Sequence, residues 1–167
     1  MNRKAYFAGG CFWCIEPVFE ALPGVLGAVS GYSGGAEEDP GYEDVKAQRT
    51  GHRETVCVEY DDAVISFEAL LEAYLGSVDP FDGGGQFIDR GRSYTLAVYP
   101  TCEEERLMAQ RRLEKLERES GIRPCVSVEP FRSFFRAEEC HQDYYRKNPE
   151  AFQRELEESG RNRRVGP

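Results

Sequence analysis

Residues Lys4-Ala5-Tyr6-Phe7-Ala8 alternate enough to predict a strand over 4–8, ended by Gly9-Gly10. From Cys11 the period changes. Phe12, Ile15, Phe19 and Leu22 recur at three- and four-residue steps until Pro23-Gly24, which predicts a helix. A second strand follows over 25–31, running into Tyr32-Ser33-Gly34-Gly35, and 34–41 reads as a loop. One or two helical turns fit 42–48, and the alternation over 54–60 predicts a strand. Phe67, Leu70, Leu71, Tyr74 and Leu75 form one helical face up to Gly76, although Ala69 denies Ser66 a strict capping box. After a Gly-rich loop over 79–87, a strand is expected over 94–99. Thr101 and Glu104 have capping-box spacing and open a charged helix over 102–120, stopped by Gly121. A strand over 125–129, a helix over 137–147 broken at Asn148-Pro149, and a helix over 149–159 complete the pattern. The basic end, Arg161-Asn162-Arg163-Arg164, reads as solvated, and no internal repeat is present. The order β-α-β-β-α-β-α-β-α predicts an α+β or open α/β sandwich, with helices packed on a mostly antiparallel or mixed sheet.

Composition narrows the function classes. The 167 residues (18.9 kDa) suit one sizeable domain. A net charge of −9 argues against a general binder of nucleic acid or anionic membrane. With 40% hydrophobic and 12% aromatic residues the chain can build a core. No apolar run approaches the ~20 residues of a membrane span, and the first ten residues lack the apolar stretch of a secretory signal. A cytoplasmic protein is expected. Its six cysteines are sparse beside the ~8–10% of disulfide-stapled chains. Most should therefore be reduced thiols, important where they are reactive.

The segment Gly9-Gly10-Cys11-Phe12-Trp13-Cys14 carries the strongest chemical signal. A thiol at a helix N-terminus faces unpaired N–H groups and the positive end of the helix dipole, which favour thiolate. The glycines offer close backbone approach to a substrate. Cys11 and Cys14, three apart, share a helix face, so one sulfur can attack the other's oxidised form at small entropic cost. Two buried core cysteines and half a zinc site are the competing readings. No second CxxC or HxxxH supplies the remaining zinc ligands, and no metal is expected. Phe12 and Trp13 fit either core or the wall of an apolar pocket. Of two histidines, His52 and His141, the second could serve a Cys-His hydrolase, but nothing else suggests acyl transfer. Glu54 alone reads as a solvated strand-end carboxylate. Gly83-Gly84-Gly85 does not lead from a strand into a helix, so no dinucleotide fingerprint is present and no cofactor is expected.

Seven blocks taken together are more specific. Gly10-Cys11-Phe12-Trp13, Gly31-Tyr32-Ser33-Gly34-Gly35, Tyr42-Glu43-Asp44-Val45, Thr50-Gly51-His52-Arg53-Glu54, Asp79-Pro80, Asp89-Arg90-Gly91 with Tyr94, and Glu138-Glu139-Cys140-His141-Gln142-Asp143-Tyr144 resemble, in order, peptide methionine sulfoxide reductase of the A type. Gly-Cys-Phe-Trp-Cys resembles the subgroup whose second cysteine lies in the first motif. The resemblance implies a ferredoxin-like α+β sandwich with extra elements, forming one catalytic domain with its core over about 4–148 and a C-terminal helix and tail over 149–167. It implies Cys11 as nucleophile toward the sulfoxide sulfur of a methionine S-sulfoxide, free or in proteins. Glu54 is implied as proton donor, Tyr32 and Tyr94 as phenols on the same oxygen, Asp89 in a hydrogen-bond network below the site, and His141 as support. Phe12 and Trp13 are implied to hold the S-methyl group. A Cys11 sulfenic acid would condense with a second thiol, and thioredoxin would reduce the disulfide. A monomer is expected.

The chain also departs from the family pattern. No cysteine follows Cys140, Ile88 stands where the subgroup often has cysteine, and Tyr94-Thr95-Leu96 lacks an arginine the family often carries. Cys14 is then the first candidate for the resolving thiol and Cys140 the second; Cys57 and Cys125 fit core strands. A general thiol–disulfide oxidoreductase and a redox sensor are the rival functions.

Overall fold

The computed structural model describes residues 1–161. Its elements are β1 (Asn2–Gly9), α1 (Phe12–Glu20), β2 (Val25–Ser33), α2 (Tyr42–Lys46), β3 (Arg53–Asp61), α3 (Phe67–Ser77), β4 (Gly85–Gln86), β5 (Asp89–Arg90), β6 (Leu96–Val98), α4 (Glu103–Ser120), β7 (Val126–Val128), β8 (Phe135–Arg136), α5 (Tyr144–Lys147) and α6 (Pro149–Ser159). Two 3₁₀ turns, Arg92–Tyr94 and Glu139–His141, lie between them. The main sheet runs β7-β6-β1-β3-β2-β8; only β6–β7 is parallel. Within it, β1-α1-β2-β3-α3-β6 is a βαββαβ unit of spatial order β6-β1-β3-β2. This is the ferredoxin-like arrangement that the resemblance implies, extended by one strand at each edge.

Side-chain alternation assigns each strand residue a face. Ala5 and Phe7 of β1, Val56, Val58 and Tyr60 of β3, and Leu96 and Val98 of β6 join the core cluster that takes Ile15 and Phe19 of α1 and Leu70, Leu71 and Tyr74 of α3. Burying a side chain such as Phe19 or Leu70 is worth about 1.5–3 kcal/mol. Tyr6, Ala8, Cys57, Ala97 and Tyr99 share a second cluster with Phe131 and Phe134, and Tyr6 stacks on Phe131 at 4.1 Å. Glu54 has the parity of Val56 and Val58 and lies directly across from Tyr32 in the β2–β3 ladder. It is therefore on the helix side of the sheet, beside the start of α1.

Several local expectations are corrected. The helix expected over 137–147 is a 3₁₀ turn followed by the single turn of α5. Tertiary contacts reshape it: the Gln142 amide accepts from Ser30 N–H and donates to the carbonyls of Ser30 and Ala137, while Asp143 takes φ 51° and donates its N–H to Glu16. The Gly-rich loop contains a small hairpin, β4–β5, held by Gln86, whose amide pairs with the N–H and carbonyl of Asp79. At α4 the carboxylate that reaches back to Thr101 is Glu105, not Glu104. Cys125 precedes β7 and is exposed rather than in the core, whereas Cys57 is buried as expected. Among the described residues, no helix is long and apolar enough to cross a membrane.

Candidate active site at the mouth of the first helix

The β1–α1 connection brings Cys11 to the N-cap of α1, and three residues of helix carry Cys14 to the same side. The hairpin β4–β5, the turn before β6 and the end of α6 close around them. Gly10 makes this closure possible: it holds φ +86°, and a Cβ there would sit 2.7 Å from Gln86 and 2.8 Å from the Arg161 guanidinium. The glycine thus admits protein side chains, where a substrate was expected to approach.

The result is a cavity of about 240 Å³ lined by Cys11, Cys14, Trp13, Tyr42, Lys46, Glu54, Ile88, Asp89, Tyr94, Glu155, Glu158, Ser159 and Arg161. It is smaller than the ~300–1,000 Å³ typical of drug-sized ligands and suits a single side chain. Glu54 is 1% exposed, and its Oε1 accepts from the Phe12 N–H at 3.1 Å. Burial pushes its carboxyl up to about 8; the Phe12 hydrogen bond opposes this, and the charge of Asp89 adds to it. Glu54 is therefore a buried acid, not the solvated strand end that its sequence position alone suggested. Burial also raises the phenols of Tyr94 and Tyr42, with Glu54 as the next cause for each. The Asp89 carboxyl is raised by burial, against the pull of Arg161 and Lys46, and it lines the cavity instead of lying beneath it.

The two thiols behave as a pair. Cys11 is raised well above its ordinary value, first by its hydrogen bond with Cys14, then by burial, and further by Glu54 and Asp89. Cys14 is lowered by the same hydrogen bond and by Arg161. Burial and the facing carboxyl groups thus oppose the helix N-terminus, which favours thiolate at Cys11. Glu54 also occupies the first N–H of α1, and the carboxyl groups of Glu54 and Asp89 share the cavity with Cys11.

The aromatic residues divide by position. Trp13 lines the cavity, stacks on Tyr144 at 3.9 Å and donates its Nε1–H to Nδ1 of His141 at 3.2 Å. Burial holds the His141 imidazole below its usual value, which favours the neutral form that can accept this bond. His141 also lies 4.0 Å, ring to ring, from Tyr42. Phe12 is 1% exposed within the core, against Tyr32, and does not line the cavity. Tyr32 is wholly buried and gives its hydroxyl to Glu138 Oε1 at 2.9 Å; Glu138 Oε2 accepts from the Tyr42 N–H. The structure thus gathers Cys11, Cys14, Glu54, Tyr94, Asp89 and Trp13, and leaves Phe12, Tyr32 and His141 behind the wall. Cys140 is exposed on its 3₁₀ turn and does not line the cavity.

Sequence reasoning missed four contributors: Tyr42, Lys46, Glu138 and Arg161. Tyr42 and Glu138 fall inside the quoted blocks, so a signal existed. Arg161 carried none, and the solvated reading of the basic end is corrected there, since Arg161 is 2% exposed; residues 162–164 of that end lie outside the described residues.

The family model described as peptide methionine sulfoxide reductase matches residues 3–165. The peptide methionine sulfoxide reductase MsrA of Halalkalibacterium halodurans is 45% identical over 162 residues, covering 96% of this chain and 92% of the relative. Among solved structures, reduced Mxr1 of Saccharomyces cerevisiae is similar at a TM-score of 0.84 with 25% identity, covering 89% of this chain and 87% of that one. Methionine sulfoxide reductase A of Corynebacterium diphtheriae gives 0.81 with 29% identity, covering 89% and 76%. A family match over residues 3–165 and a relative 45% identical over almost the whole chain make the conclusion direct: the chain belongs to the peptide methionine sulfoxide reductase family.

Proposed function

We propose that the chain, acting as one catalytic domain in the cytoplasm, reduces methionine S-sulfoxide to methionine with Cys11 as nucleophile and Glu54 as proton donor. The observation that carries this reading is the buried Glu54 carboxyl, raised to about 8, in the same cavity as Cys11. A sulfoxide sulfur is a poor electrophile until its oxygen is protonated or strongly hydrogen-bonded, and a carboxyl neutral near pH 7 can supply that proton. Cys11 passes its proton to the neighbouring sulfur of Cys14, which lines the same cavity, and its thiolate attacks the sulfoxide sulfur. The oxygen takes the proton of Glu54, with the Tyr94 phenol beside it, and ends on Cys11 as a sulfenic acid while methionine leaves. Trp13 and Tyr42 form the apolar wall for the S-methyl group, with His141 positioning the indole. Tyr32, through Glu138, positions Tyr42. Asp89 helps keep Glu54 protonated.

Cys14 then resolves the sulfenic acid as a Cys11–Cys14 disulfide. Of the cysteines among the described residues, only these two line the cavity. A dithiol protein of the thioredoxin class reopens the disulfide; Mxr1 of Saccharomyces cerevisiae, which shares this fold, has been solved in complex with Trx2. The test is reduction of a blocked methionine sulfoxide peptide by dithiothreitol, comparing the S and R epimers. Wild type should consume the S epimer and Glu54→Gln should lag far behind it. Equal, slow rates in both proteins overturn the assignment. Reduction of a generic disulfide independent of Glu54 would support the rival oxidoreductase.

A further inference from the structure

Arg161 is the most deeply placed cation near the sulfur pair, and the mechanism above does not use it. It follows α6 after Gly160, whose φ of +77° turns the chain back toward the body of the protein. Its guanidinium is then held from several sides. Nη2 donates to the Gly9 carbonyl at 3.1 Å, Nη1 reaches the Ser77 carbonyl at 3.5 Å, and the guanidinium carbon lies 4.7 Å from the centre of the Phe87 ring. Phe87 takes φ +56° in the β4–β5 turn, a left-handed conformation that a non-glycine residue adopts at some cost and that here accompanies a ring placed against the cation. Cys14 and Arg161 also line a second, apolar cavity of about 430 Å³ between α1 and α6, so the two residues share the walls of both cavities.

We infer that Arg161 is a positioning residue for the resolving step: it holds Cys14 as the thiolate that attacks the Cys11 sulfenic acid. This rests on the reading of Cys11 and Cys14 given above. In the step, Cys14 gives the proton it received from Cys11 to the Glu54 carboxylate left by the first step. The Cys14 thiolate then forms the S–S bond to Cys11 as the S–O bond breaks. The departing hydroxide takes that proton from Glu54 and leaves as water, so one sulfenic acid, oxidised by the sulfoxide, and one thiol end as one disulfide with no further oxidant. The charges facing Cys14 come from every neighbouring element. Asp89 of β5 and Glu155 of α6 raise its pKa, Glu54 of β3 and Glu158 of α6 share the cavity, and Lys46 of α2 and Arg161 supply positive charge. Of these two cations, Arg161 lines both cavities that Cys14 lines, whereas Lys46 lines only the first, and the Arg161 charge favours the thiolate. The acidic groups outnumber the cations, so loss of Arg161 exposes the thiolate to net repulsion.

The full chain is tested as wild type, Arg161→Met and Arg161→Lys, each given one equivalent of methionine sulfoxide peptide without reductant and quenched with an alkylating agent. Released methionine counts the first step, and loss of the Cys14 thiol follows the second. All three should release one equivalent of methionine. Arg161→Met should form the disulfide about tenfold more slowly at pH 7, with the midpoint of its pH profile moved up by about one unit. Arg161→Lys should restore most of the rate and the midpoint. An unchanged pH midpoint in Arg161→Met overturns the proposal, and so does an Arg161→Lys protein as slow as Arg161→Met, which would assign the effect to packing. If wild type itself releases methionine but forms no Cys11–Cys14 disulfide, the underlying assignment of Cys14 fails, an outcome separate from either of these.

Discussion

Two buried carboxyl groups flank α1, and their surroundings separate chemistry from architecture. Glu54 lies at the mouth of the helix and Glu16 on its inner side; each is 1% exposed, and burial raises Glu54 to about 8 and Glu16 to about 7. Glu54 has a single short contact, the Phe12 N–H, and opens on the cavity that holds both thiols. Glu16 is closed in: Ser30 Oγ–H donates to it at 2.7 Å and the Asp143 N–H at 3.0 Å, and it does not line the cavity that holds the thiols. The first can give a proton to something that enters. The second ties α1 to β2 and to the turn before α5. A displaced pKa marks a buried acid; what the acid faces decides its use.

Substitutions test this contrast, beginning with the largest effect. Cys11→Ser should abolish methionine formation from sulfoxide peptide in a single-turnover assay, whereas any residual burst would move the nucleophile elsewhere. Glu54→Gln should slow the same burst about 10²–10⁴-fold. In wild type the burst should fall as pH rises through about 8, because the proton-bearing form is the active one, and this limb should vanish in the variant. Cys14→Ser should keep the first equivalent of methionine but lose about tenfold or more in thioredoxin-coupled cycling; undiminished cycling would remove Cys14 from the resolving role. His141→Phe should raise KM about three- to tenfold with little change in kcat, since Trp13 loses the acceptor that orients its indole.

Glu16→Gln gives the smallest kinetic effect, with the burst unchanged within a factor of two. Its readout is stability. Because the folded carboxyl sits near 7, above its ordinary 4.5, the neutral form favours the fold; that contribution is whole below pH 4.5 and fades as pH rises through 7. Thermal scans at pH 5 and pH 8 should show wild type losing a few degrees more than Glu16→Gln, at about 2–4 °C per kcal/mol for a chain of this size. An equal loss in both proteins would mean that Glu16 is not neutral in the fold.

The sequence revealed those parts of the molecule whose local and tertiary preferences agree. Strand alternation and helical periodicity located β1, α1, β2, β3, α3, α4 and α6 because each is long enough for its apolar positions to repeat at its own period. The segment 137–147 has helical composition, but hydrogen bonds from Gln142 to Ser30 and from Asp143 to Glu16 outweigh propensity there, and neither partner is near in sequence. The pairs β4–β5 and β8 are two residues each, too short for any period to show. In the site, Cys11, Cys14, Trp13, Asp89 and Tyr94 stood in recognisable blocks. The surroundings of the two thiols were not legible, because Glu54 of β3 takes the first helical N–H and Arg161 arrives from the far end of the chain.

The central claim is that Glu54 carries a proton near neutral pH while sharing a cavity with Cys11. A carbon-13 NMR titration of the glutamate side-chain carboxyls, with the Glu54 signal identified by its absence in Glu54→Gln, measures it most directly. A midpoint close to 8 is predicted; a midpoint near the ordinary 4.5 would contradict the account.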